Sequence, residues 1–123
     1  NWKEVFAHNK NSPTQNLVIF LKANGIIAIY SWYGVASEII MASNGEIAAA
    51  EYSRSARGKR LRKELEKYAD FSIATHSGTK SIFLKYLKNN KITFRLAKVD
   101  GFIVIWGLKG DPQKINQLRK LIT

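Results

Sequence analysis

V-A-S-E-I-I-M-A-S-N-G-E-I-A-A-A-E-Y, Val35 to Tyr52, is the stretch on which the fold turns. Asn44-Gly45 at its centre is the favoured pair for a two-residue type I′ turn, because both positions need positive φ. On that basis Val35–Ser43 and Glu46–Tyr52 are the arms of a hairpin. Val35–Ala42 also satisfies a helix, and Ala48, Ala49 and Ala50 are poor strand formers. The Asn-Gly pair decides for the hairpin. The alanines leave room for another element to approach closely, and the element that follows is the obvious one.

That element is Ser53 to Lys67, S-R-S-A-R-G-K-R-L-R-K-E-L-E-K. It carries Arg54, Arg57, Lys59, Arg60, Arg62, Lys63 and Lys67 against Glu64 and Glu66. Leu61, Leu65 and Tyr68 stand at i, i+4 and i+7, which predicts an apolar stripe on a helix packed against a sheet. The helix is expected from a Ser55 cap to about Asp70. Its cations are expected to face water as a positive ridge, since unpaired charge is costly to bury.

Working back, Asn1 to Asn9 mixes Trp2, Val5 and Phe6 with polar residues, as a short packing arm would. Ser12-Pro13-Thr14-Gln15 has the features of a helix start: Ser at the N-cap, Pro at N1, and Gln at N3 to close a capping box. The helix runs through L-V-I-F-L to Asn24-Gly25, where Gly supplies the left-handed cap. Ile26 to Tyr33 is rich in β-branched and aromatic residues and predicts a strand.

Working forward, Phe71 to Gly78 is a connection, and Thr79 to Asn89 is a helix with Ile82, Phe83, Tyr86 and Leu87 inward. Ile92–Val99 and Phe102–Leu108 pair across an Asp100-Gly101 turn. Asp111-Pro112 opens a last helix with Ile115, Leu118 and Leu121 or Ile122 inward.

Two segments look alike. F-L-K-A-N-G-I at 20–26 matches Y-L-K-N-N-K-I at 86–92, and each is followed by an Asn-Gly or Asp-Gly turn and a helix bearing L-R-K. The expected fold class is therefore α+β: two pseudo-repeated helix–β-hairpin–helix units, α-β-β-β-α over 12–70 and α-β-β-α over 77–123. They pack as one domain over 1–123.

The formal charge of +11 is uneven. Residues 1–52 hold three bases and four acids; residues 53–123 hold 17 bases and five acids. Charge gathered in one part of the chain predicts a face, and such a face predicts a polyanionic partner. Nucleic acid is the expected partner, DNA ahead of RNA and duplex DNA first. The phosphate contacts are assigned to Arg54, Arg57, Lys59, Arg60, Arg62, Lys63, Lys67, Lys85, Lys88, Lys91 and Arg95. An anionic membrane or an acidic protein is the rival partner, and a simply solvated face the plainer alternative. Apolar runs such as Leu17–Leu21 are too short to cross a bilayer, so no membrane insertion is expected. The first residue is Asn, which suits a piece of a larger regulator or DNA-processing enzyme.

Catalytic signals are thin. His76 sits in T-H-S-G-T-K with Lys80 close by, and a His beside a Lys can cleave RNA through its 2′-hydroxyl. A small basic ribonuclease of toxin type is the alternative function on those two residues; the balance leans against an enzyme, because a loop His is usually only a loop His. No metal site and no cofactor is expected: the chain has no Cys, and His8 and His76 lie far apart. The lack of Cys also fits a cytoplasmic protein. Trp32 and Tyr33 are the aromatics best placed to stack on bases, the rest being read as core.

Overall fold

The computed structural model describes residues 11–32, 34–52 and 58–123. In chain order the elements are α1 (Pro13–Ala23), β1 (Ala28–Ser31), α2 (Val35–Ala42), β2 (Ala48–Glu51), α3 (Lys59–Leu65), β3 (Ser72–Thr75), α4 (Lys80–Asn89), β4 (Thr93–Val99), β5 (Phe102–Lys109) and α5 (Pro112–Ile122). The class is α+β, with one five-stranded mixed sheet in the order β2-β1-β3-β5-β4. β1 runs parallel to β2 and β3, and β5 runs antiparallel to β3 and β4.

The hairpin over 35–52 is not there. Val35–Ala42 is helix α2, and β2 pairs with β1 in parallel, Ala28 opposite Ala48 and Ser31 opposite Glu51. Asn44 and Gly45 do have positive φ, 54° and 78°. They use it to stop α2: the Gly45 N–H donates to the Ile40 carbonyl at 2.9 Å and the Asn44 N–H to Met41 at 3.1 Å. This is a Schellman cap. A type I′ turn and this cap ask the same of a local dipeptide, and only long-range pairing tells them apart. Asp100-Gly101, at 45° and 84°, does close the β4–β5 hairpin.

The likeness between 20–26 and 86–92 has the same origin. Ile26 N–H bonds to Leu21 and Gly25 N–H to Lys22; Ile92 N–H bonds to Leu87 and Lys91 N–H to Lys88. Asn24 and Asn90 each donate a side-chain amide to the carbonyl four residues back. Both segments are one helix stop, with a buried Ile packed against a buried Leu. The larger units differ, since the first contains no hairpin and the second contains β4–β5.

β1 and β3 are buried along their whole length on both faces. β3 falls in the segment expected to be a connection. Its four residues, S-I-A-T, are too few to show a period, and their small size suits a central position. Because both faces must be covered, helices lie on both sides. α1 and α2 pack with Ile29, Ala49, Ala74 and Val104 on one face. α3, α4 and α5 pack with Tyr30, Ala50, Ile73 and Ile105 on the other. The capping box at α1 forms as expected, Ser12 Oγ accepting from Gln15 N–H at 3.1 Å and Gln15 Oε1 from Ser12 N–H at 2.8 Å. α3 stops at Leu65, short of Asp70, and begins after Gly58; Ser55 lies outside the described residues.

Gly25 and Lys91 occupy equivalent cap positions, at φ 68° and 55°. A side chain in that conformation costs about 1 kcal/mol. Gly25→Ala should therefore destabilise by about 1 kcal/mol, and Lys91→Gly should stabilise by a similar amount, read from urea midpoints.

Candidate nucleic-acid interface

The layering converts an uneven chain into an uneven surface. The helices α3, α4 and α5 carry ten Lys or Arg and a single acid, Glu64. Helices α1 and α2 on the far side carry Lys22 and Glu38. The three basic helices form one layer. α5 is tied to α4 by the Tyr86 hydroxyl donating to the Lys114 carbonyl at 2.9 Å. It is tied to the chain after α3 by Arg119 Nη2 donating to the Tyr68 carbonyl at 2.7 Å.

Lys59, Arg60 and Lys63 on α3, Lys67 just after it, and Lys85 and Lys88 on α4 are all exposed on or beside this layer. Lys114 and Lys120 on α5 join them, though no sequence argument had assigned them. Lys91 is exposed in the turn after α4. Arg95 departs from the group: it stands opposite Trp106, which packs against the α1–α2 cluster, so Arg95 belongs to the other face. Arg54, Arg57 and Tyr33 lie outside the described residues.

Arg62 corrects the expectation that every cation of the stretch faces water. It is 5% exposed. Arg62 and Leu65, at i and i+3, are the residues that α3 turns toward the sheet, where β2 offers small alanines and, at its end, Glu51. The guanidinium lies beside the buried Glu51: a Cβ at Gly58 would stand 3.3 Å from Arg62 Nη1 and 3.8 Å from Glu51 Oε2. Glu51 Oε1 also accepts from Gly34 N–H at 3.3 Å. Arg62 therefore helps to seat α3, and its exposed neighbours are the cations of the stretch that face water.

His76 follows β3 at the carboxyl ends of the parallel strands. Its ring meets Trp32 edge-on, centroids 5.0 Å apart. Nδ1 accepts from Gly78 N–H at 3.2 Å, so a neutral imidazole here carries its proton on Nε2. A Cβ at Gly78 would fall 3.0 Å from the imidazole Cε1, so a larger residue there would push the ring aside. Beneath it, Thr75 Oγ1 is hydrogen-bonded to Thr79 Oγ1 and to the Tyr52 hydroxyl. Lys80 opens α4, its N–H bonded to the His76 carbonyl. The asparagines at turns, Asn44 and Asn90, are helix caps. Ile82, expected inward, is 67% exposed.

Sequence reasoning missed Arg119. Its guanidinium sits 4.5 Å over the Phe71 ring and 5.9 Å from the Tyr30 ring centre, and its Nε is buried without a partner. The signal was present: 119 lies one turn after Ile115, on the flank of the inward stripe of α5. No family model, curated protein or solved structure matches the chain. No described helix is long and apolar enough to cross a membrane.

Burial pushes the Tyr30 hydroxyl above the ordinary tyrosine pKa of 10.0, and the Arg119 cation pulls partly the other way. A raised folded-state value means that the native state keeps this proton longer than the unfolded chain. The stabilisation is whole below the unfolded pKa, about 10, and is lost as pH rises through the folded one. Tyr30→Phe should fold at neutral pH and lose less stability than the parent above pH ~10, compared by urea unfolding at the two pH values.

Proposed function

We propose that the chain is a nucleic-acid-binding domain whose contact surface is the layer of α3, α4 and α5, with duplex DNA the favoured form. The supporting observation is the segregation itself. The three helices on one side of the sheet hold ten bases and one acid, with Lys67, Glu66, Asp70 and Asp111 at their ends, while the helices opposite are balanced. A mixed surface would serve solubility as well. A predominantly positive layer built on three adjoining helices matches an extended row of phosphates. Such contacts position a protein on the backbone without reading sequence.

Binding through this layer releases counterions, so affinity should fall steeply with salt. The Lys59/Arg60/Lys63/Lys67 quadruple alanine variant should lower the slope of log K against log salt by about 3–4, close to one unit per lost phosphate contact. Gel shifts with duplex DNA at low and moderate salt measure this. Unchanged affinity in the variant would remove α3 from the interface.

One observation favours a second reading, a ribonuclease centred on His76. The Nε2–H that this tautomer presents can hydrogen-bond a phosphate oxygen while the 2′-oxygen, its proton passing to water, attacks phosphorus and the leaving 5′-oxygen takes a proton from water. Lys80 supplies charge close by. On this reading the purified protein degrades transfer RNA and His76→Ala abolishes the cleavage. RNA that stays intact through long incubation excludes it.

A further inference from the structure

β3 is short, and its shortness leaves a hole in the sheet. It begins at Ser72, opposite Ile29 of β1, and meets β5 through Ile73 and Ile105. Below that level β5 continues to Lys109, and the chain entering β1 descends through Ile26 and Ile27. Two neighbours of a missing strand stand about 9.5 Å apart, twice the strand spacing. Gly107, at φ 65°, bends β5 there, which is a conformation that favours glycine. The result is a cavity of about 680 Å³, closed on one side by α5 and by the chain between α3 and β3.

This volume lies in the range of ligand sites, and the wall composition is of the same kind. Trp106, Phe71 and Ile115 give apolar surface; Asp70 and Asn116 give polar groups. Arg119 is the fixed cation of the wall. One of its terminal nitrogens is held by the Tyr68 carbonyl, its plane lies over Phe71, and its Nε has no partner. The Tyr30 hydroxyl is buried behind it, with the Arg119 guanidinium the polar group acting on it. α5 belongs to the basic layer and lines the cavity through Pro112, Ile115, Asn116 and Arg119, so the layer and the cavity share that helix.

We propose that this cavity receives a single nucleotide held out of the base stack, its base between the apolar walls and its phosphate toward Arg119 and Lys109. The inference rests on the nucleic-acid reading above and replaces its favoured form: unpaired strands, ends and bulges should bind better than perfect duplex.

The test compares a single-stranded oligonucleotide with a duplex of equal length, and adds adenosine monophosphate as a probe of the cavity alone. The blocking variant is Ala69→Phe. Ala69 is exposed, lines the cavity, carries no charge and makes no side-chain hydrogen bond, so the fold and the basic layer should survive the change. The native chain should bind the single strand about tenfold more tightly than the duplex, the scale of one base stacked on an aromatic ring. Adenosine monophosphate should quench a fluorescence component that Trp106→Phe removes. Ala69→Phe should bring single-strand affinity down to the duplex value and abolish the quenching. Equal binding of both forms, untouched by Ala69→Phe, overturns the cavity and leaves the basic layer standing. Failure of both forms to bind at low salt overturns the layer and the cavity with it.

Discussion

β1 and β3 cannot show either face to water, and the rest of the structure follows from that. Ile29, Tyr30 and Ile73 are fully buried, and so are Ser31 and Thr75 at the strand ends. A strand buried on both sides needs helices on both sides. The crossover from β1 to β2 uses α2 on one face, and the crossover from β2 to β3 uses α3 on the other. The chain therefore changes layers once, between α2 and α3, at the point where its charge changes from acidic to basic. A division along the sequence becomes a division between two surfaces because of where that crossing falls.

How far this was legible from residues alone depended on whether local chemistry had one structural meaning or two. Ser12-Pro13-x-Gln15 and Asp111-Pro112 each have one, and both helices start where those residues stand. Asp100-Gly101 and Asn44-Gly45 have two. Positive φ at both residues suits a hairpin turn or a helix stop, and the choice was made by partners far away in sequence: β5 for the first, β1 for the second. The same double meaning made a shared helix stop at 24–26 and 90–92 look like a duplicated unit. β3 left no signal because four small residues between two neighbours need no pattern of their own; the sheet around them provides the context.

The placement of the cations was legible as a sum and less so residue by residue. Lys59, Arg60, Lys63, Lys85 and Lys88 are exposed on one layer because the apolar stripes of α3 and α4 point them there. Arg62 shares their stretch but stands three residues before Leu65, and the alanines of β2 leave space below it. Alanines at 48–50 admit a helix closely, and the space they leave lets Arg62 lie beside Glu51. Arg95 was misplaced for a different reason. Alternation along a strand gives two faces but not which is which, and only the register with Trp106 settles it. Arg119 was passed over because a cation flanking an inward stripe looks like one more surface charge until Phe71 and Tyr30 are seen under it.

The ends of the basic helices carry the electrostatic argument one step further. None of α3, α4 and α5 has an acid in its first turn, and α3 and α4 begin with Lys59-Arg60 and Lys80. A helix start is the positive end of its dipole, so cations there are placed against the field, at a cost of about 0.3–1 kcal/mol each. Neighbouring lysines on one layer repel one another as well, over a range of about 8 Å at physiological salt. For folding alone, both arrangements are unfavourable, and Asp or Glu at those positions would be the stabilising choice. For an anion they act together where α3 and α4 begin: there the dipole ends add to the positive potential of the side chains. A bound polyanion would remove the repulsion and the dipole mismatch at once. The layer that weakens the free protein is then the layer that a phosphate backbone would stabilise most.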